Sequence, residues 1–274
     1  MAGVSAKSIK NRIRSMESTR QITRAMELVA ASKLRKAQNQ AISSRPYSAC
    51  IYETINNIAS SGSEISSPYM AENPDGQTVH IVIAGDRGLS GGYNNNVLKP
   101  LSEVEGVILP IGKKAVEYCL SRGYTVLADT YLSAEKLTGE DCFAIAKMLC
   151  DGYLAGKYNK ICVRYTKFVS ALTQTPQMLQ LLPLEQVTGE GSGREMLYEP
   201  DAESVLAAII PEYVGGVLYG ALCESRASEQ AARRSAMDSA TQNADTMIED
   251  LSLELNRARQ AAITREITEI VAGV

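Results

Sequence analysis

Near the start of the chain, apolar residues recur at three- and four-residue steps, through Ile9, Ile13 and Met16 and again through Ile22, Met26 and Val29. This is the period of an amphipathic helix, and Arg20 interrupts the seam between the two groups. From Ala2 to Ile58 only Gly3 and Pro46 could break the helix. Fifty helical residues would span ~75 Å, more than a compact domain of this size is wide, so the helix is expected to project. The other end is more regular. Met237, Ala244, Leu251 and Ala258 fall seven apart, as do Thr241, Ile248, Leu255 and Ala262. A sustained heptad of this kind predicts a left-handed coiled coil whose alanines let the helices approach closely. Asp201 is placed to cap the final helix, with Glu203 in its first turn and Pro211 at its start or at a kink.

Between the ends the period changes. After a Ser-, Gly- and Pro-rich loop over about residues 60–77, short apolar runs alternate with helical patterns. "VHIVIA" (79–84), "GVILPIG" (106–112), "YTVLADTYL" (124–132), "KICVRYTKFVS" (160–170) and "QTPQMLQLLPL" (174–184) read as strands. Helices are expected from Gly92, over 113–123 and over 139–155, and the last two strands form an antiparallel hairpin. The fold class is α/β, with a central doubly wound, mainly parallel domain and terminal helices paired as an antiparallel coiled coil. Four segments follow: an N-terminal coiled-coil helix (1–58), a linker (59–77), the α/β domain (78–200) and a C-terminal coiled-coil helix (201–274). In the alternative, both helices fold back onto the sheet, but core helices commonly run only ~8–20 residues.

Composition changes this picture in one respect. The net charge is −3, yet residues 1–45 hold ten Lys or Arg against two Glu, a net of +8 that leaves −11 for the rest. A basic segment of that kind suits an acidic partner surface. The six cysteines lack CxxC spacing, and with one histidine a zinc site is not expected; reduced, partly buried thiols are. No run approaches the ~20 apolar residues of a membrane span, and no cleavable presequence is recognised at the N-terminus.

"GDRGLSGGYN" (85–94) is the one stretch that looks like chemistry. It contains GxSxG, which presents a nucleophilic serine in some hydrolases, here Ser90. The base would be a later histidine, but the only histidine, His80, precedes Ser90. Gly85, Gly88, Gly91 and Gly92 match neither GxGxxG nor a P-loop, so no phosphate cradle is assigned and a strand-to-helix turn is expected. Asp86 and Arg87 are read as a local pair or cap. The adjacent acids of "GEDC" (139–142) are read as charge complementing a helix N-terminus. No catalytic, cofactor-binding or metal-ligating residue is assigned.

The terminal helices carry the specific information. "ITRAMELVAASKLRKAQ" (22–38) and residues 228–274 resemble the terminal helices of the gamma subunit of F-type ATP synthase. "GDRGLSGGYNNNV" (85–97), "LLPL" and "LYEPD" also fit, so the resemblance runs the length of the chain. The region after Lys99 is shorter than in many members, and the cysteine-bearing insert of chloroplast members has no counterpart.

The resemblance implies a central rotor that couples ion flow through the membrane c ring to ATP synthesis or hydrolysis, without making or breaking a bond itself. Implied partners are a ring of three alpha and three beta subunits, the epsilon subunit and the c ring. No nucleic acid or cofactor is implied, membrane contact comes only through the complex, and the place is the cytoplasmic face of a bacterial cell membrane. By the same resemblance Met26 lies at the shaft–beta interface, Arg233, Arg259, Gln260, Thr264 and Glu266 at coupling contacts, and Tyr198 and Glu199 near the c ring. Lys33, Arg35 and Lys36 suit acidic loops of surrounding subunits. The competing reading of the basic segment is a helical-stalk adaptor or nucleic-acid-binding coiled coil, which would bind DNA with steep salt dependence.

Overall fold

The computed structural model describes residues 6–59, 67–71, 73–127, 132–184, 198–199 and 201–273. Helix α1 runs Ala6–Ala59 and helix α5 runs Ala202–Ala272. The chain divides into two compact units, one built from α1 up to Ala31 and α5 from Arg233, the other from residues 32–232.

In the helical unit the two helices run antiparallel, because partners rise on one helix as they fall on the other: Arg20 meets Asp245 at 3.1 Å and Thr23 meets Thr241 at 2.8 Å. Met237, Thr241, Ala244 and Leu251 are buried, as the heptad predicts, while Ala262 is exposed. On α1 the seam departs from expectation. It passes through Ile9, Met16, Thr23 and Ala30 and through Ile13, Arg20 and Glu27, so Arg20 belongs to the seam and Ile22 and Val29, each 57% exposed, do not. The physical reason is steric: threonine and alanine let the backbones approach where larger apolar residues would hold them apart. Glu27 is tolerated there because Arg24 pairs with it at 2.8 Å.

In the second unit, strands β1 (Gln77–Ile83), β2 (Val107–Ile111), β3 (Tyr158–Phe168) and β4 (Gln174–Leu182) form one sheet of order β2-β1-β3-β4. β1 pairs parallel with β2 and β3, and β3 pairs antiparallel with β4, as the expected hairpin requires. Alternation along β1 divides the core: Val79, Ile81 and Ile83 enter one cluster, Val82 and Ala84 the other. The first is covered by α4 (Gly139–Leu154), the end of α1 and the first turns of α5. The second is covered by α2 (Tyr93–Leu98), the 3-10 turn Lys99–Glu103 and α3 (Lys113–Ser121).

Three details correct the reading of the sequence. Among the described residues of "YTVLADTYL", Val126 and Leu132 form isolated parallel bridges to β2 rather than a strand, and residues 128–131 lie outside the described set. Pro211 does not start α5 but lies inside it: the helix begins at Ala202, with Asp201 accepting from the Ser204 N–H at 2.7 Å. Ala207, whose carbonyl Pro211 cannot satisfy, is exposed, so water can take that role. Finally, α5 does contain a stretch of mean hydropathy 1.6, apolar enough for a membrane span by length and composition alone. Its apolarity has a use in the fold, since Leu206, Ile210, Val214, Leu218 and Leu222 are fully buried against the sheet.

Candidate functional site

The glycine-rich turn begins where β1 ends. The amide side chain of Asn94, on the first turn of α2, accepts from the Gly85 N–H at 2.9 Å and donates to the Arg87 carbonyl at 3.2 Å and to Ser90 Oγ at 3.4 Å. Asparagine can do both because its amide carries an acceptor and two donors. Ser90 is 1% exposed, so its hydroxyl is a structural acceptor closed to any substrate. Leu89, by contrast, is exposed in left-handed conformation at φ 59°, a strained position for a side chain with a Cβ.

The phosphate reading fails on donors as well as on spacing. A helix N-terminus binds an anion through unsatisfied N–H groups. In α3 the Lys113 N–H goes to Asp86 Oδ1 at 3.1 Å, the Lys114 N–H to the Gly85 carbonyl, and those of Ala115 and Val116 to the Gly112 carbonyl. Asp86 is a cap, and more than a local one. Its carboxylate also accepts from Ser133 Oγ at 2.7 Å, the Ala134 N–H at 3.2 Å and the Glu135 N–H at 2.9 Å.

All six cysteines are free thiols, and five are buried. Burial pushes Cys142 and Cys150 up to about 12 and Cys119 up to about 11, so these thiols remain protonated and unreactive. Among the described residues, no group of three or more His, Cys, Asp or Glu is arranged to hold a metal ion.

The residues singled out by resemblance fall on different elements and form no single pocket. Met26 is half-buried on α1, and Arg233 is 9% exposed on α5, so its surroundings are protein already within this chain. Arg259, Gln260 and Thr264 are exposed, the Thr264 hydroxyl donating to the Gln260 carbonyl at 3.0 Å; the Glu266 side chain lies outside the described residues. Arg35 and Lys36 are exposed, whereas Lys33 pairs with Glu135 at 2.6 Å. That hydrogen bond and charge hold the Glu135 carboxyl below its ordinary range. Tyr198 packs against the main core and Glu199 is exposed.

Both helices of the helical unit also turn large apolar side chains away from their shared seam. Ile22, Leu28 and Val29 on α1 and Leu253, Ile263, Ile267, Ile270 and Val271 on α5 are 48% to 72% exposed. Large apolar side chains exposed along both helices mark places where another chain belongs.

Comparison with known proteins settles which chain family this is. Residues 5–274 match the family model described as ATP synthase. The ATP synthase gamma chain of Ruminococcus albus is 46% identical over 96% of both chains, and that of Alkaliphilus metalliredigens is 45% identical over 99% of this chain and 98% of its own. The chain belongs to the ATP synthase gamma chain family. Solved structures agree in fold: a chain of the Euglena gracilis mitochondrial ATP synthase complex of OSCP, F1 and c-ring superposes with a TM-score of 0.70 at 19% identity, over 98% of this chain and 93% of that one. As a gamma chain, the protein is a subunit of the membrane-associated F1 assembly. Membership favours the shaft over the nucleic-acid-binding adaptor as the use of the basic N-terminal segment.

Four features escape a reading by apolar period alone: in the helical unit the Arg20–Asp245 pair and the buried Thr23–Thr241 contact, and in the other unit the reach of Asp86 and of Arg226 on α5. Arg20 could have been found, since it stands seven residues from both Ile13 and Glu27. Arg226 leaves no such mark, because its partners are backbone carbonyls far away in sequence.

Proposed function

We propose that the chain is the central rotor shaft of an F-type ATP synthase, coupling ion-driven rotation of the c ring to catalysis in the alpha and beta subunits. The observation that carries this is the antiparallel helix pair whose seam joins buried apolar residues with the Thr23–Thr241 and Arg20–Asp245 contacts, and which leaves large apolar side chains exposed on both helices. Two interlocked helices resist twisting through seam packing, as one helix cannot. The apolar residues exposed on it suit a protein sleeve, and a shaft without threefold symmetry lets each orientation favour a different state of each catalytic site by differential contact.

The chain itself is non-catalytic in this reading: the buried Ser90, the filled α3 N-terminus and the protonated thiols offer no chemistry. Met26, Arg233, Arg259, Gln260, Thr264 and Glu266 would contact the ring, Lys33, Arg35 and Lys36 its acidic loops, and Tyr198 and Glu199 the c-ring side. The place of work is the cytoplasmic face of the cell membrane, with epsilon alongside.

The deciding experiment is affinity purification of the tagged chain from its native cell, with subunit stoichiometry. One copy per ring of three alpha and three beta subunits is expected. Recovery of the chain alone, at low salt and high concentration, would refute the proposal.

A further inference from the structure

The turn Ser133–Leu137 is bound by polar contacts from three directions at once: the turn after β1, α5 and α1. The Asp86 carboxylate, at the end of β1, holds Ser133 Oγ and the N–H groups of Ala134 and Glu135, and the same carboxylate holds the first N–H of α3. From α5, Arg226 donates through Nε to the Ala134 carbonyl and through Nη2 to the Leu137 carbonyl, both at 2.6 Å. From α1, Lys33 reaches Glu135 at 2.6 Å. Thr138, the next residue, caps α4 by accepting from the Asp141 N–H while Asp141 accepts from the Thr138 N–H. Ala134 and Leu137 are themselves buried in the main core.

We infer that this turn is a rotational clamp, with Arg226 and Asp86 its positioning residues, fixing α5 against turning about its own axis where it crosses the sheet. The inference rests on the shaft reading. Apolar packing of Leu206, Val214, Leu218 and Leu222 on the sheet is non-directional: it opposes separation more than rotation or sliding. A guanidinium fork on two carbonyls is directional and charge-assisted, so rotating α5 by even a fraction of a turn breaks both bonds. Asp86 supplies the other half by tying the same turn to β1 and α3. Torque entering through the α/β domain would pass to α5 through this turn, and without it the domain would yield elastically before the shaft turned. Arg226 and Asp86 touch no reacting group; they act through the stiffness of the joint.

The test uses the assembled complex with its alpha–beta ring immobilised and a rod-shaped probe fixed to the α/β domain of this chain. The width of the probe's angular fluctuation in a single dwell reads the torsional stiffness between domain and ring. Arg226→Met, which keeps much of the apolar stem and loses the fork, is expected to broaden the angular variance about twofold. Asp86→Asn, at the other end of the turn, should broaden it in the same direction. Arg226→Lys, which keeps the charge without the fork, should fall between wild type and Arg226→Met and serves if the methionine variant does not assemble. Variances equal to wild type in ring-bound variants would overturn the clamp and leave the shaft reading intact; a wild-type chain that never seats in the ring would instead refute the shaft.

Discussion

Thr23 and Thr241 meet hydroxyl to hydroxyl at 2.8 Å inside the seam of the helix pair, and both residues are buried. Each also has a carbonyl of its own helix in reach, that of Arg20 for Thr23 and of Met237 for Thr241. A hydroxyl has one proton, so whichever threonine donates across the seam gives up its own-helix carbonyl. Replacing Thr23 alone by valine removes the contact while Thr241 falls back on Met237, at a cost of about 1 kcal/mol. Replacing both by valine leaves no stranded partner and should cost less than the two single changes together. Urea unfolding of the three variants measures this, and strict additivity would show that the hydroxyls do not interact.

Within the glycine-rich turn, Asn94 and Ser90 should behave oppositely. Ser90→Ala removes a long hydrogen bond of 3.4 Å and leaves ATP turnover by the assembled complex nearly unchanged. Asn94→Ala strips the acceptor from the buried Gly85 N–H. An unpaired donor costs about 1–3 kcal/mol, so this variant should unfold at visibly lower urea. A serine variant that loses turnover while still assembling would reopen the question of chemistry at this turn.

Two glycines with left-handed backbone separate strain from collision. Gly112, at φ 95°, would place a Cβ 2.0 Å from the Ala84 carbonyl oxygen, whereas Gly123, at φ 72°, has nothing within 4 Å of that position. Gly123→Ala should cost only the left-handed penalty, ~1–2 kcal/mol. Gly112→Ala must also move β1 or α3, so a loss above ~4 kcal/mol is expected, a size confined to a few mechanisms. Thermal unfolding of the two variants side by side checks the order, and equal losses would mean the strand and helix accommodate the methyl freely.

The parts of this fold legible in the sequence are those where the period of apolar residues coincides with burial. The heptad of Met237, Ala244 and Leu251 reported the face that is buried, and the apolar run 79–84 reported a strand buried on both faces. The α1 seam was misread because it is built from Thr23, Glu27 and Ala30, while Ile22 and Val29 face outward. Apolar residues turned outward are what a shaft inside a sleeve requires, so the failure of the period there points to a partner. The interface residues themselves rest on resemblance to a family, since an exposed Arg259 or Gln260 has nothing in one chain to distinguish it from a solvated helix face. The clamp at residues 133–137 was invisible for another reason: most of its bonds involve backbone groups, which every residue carries.

His80 gives the domain a pH dependence whose sign can be worked out. It sits 6% exposed on β1, with Nδ1 lacking a hydrogen-bond partner among the described residues. Burial lowers its pKa below 6.5, with Arg164 and Lys160 on β3 adding repulsion and a hydrogen bond to the Glu105 backbone opposing both. A histidine with a depressed folded-state pKa binds fewer protons when folded than when unfolded. Its contribution is therefore fully present above the unfolded value and is lost as pH falls from about 6.5 through the lower folded value. Carboxylates titrate mainly lower, so lowering the pH from about 7.5 to about 5.5 should expose the histidine. The urea midpoint of the wild-type chain is expected to fall over that interval by more than that of His80→Gln, which cannot titrate. Equal shifts in the two proteins would show that His80 binds protons alike in the folded and unfolded states, so that neither burial nor the charges of Arg164 and Lys160 disfavour its protonation.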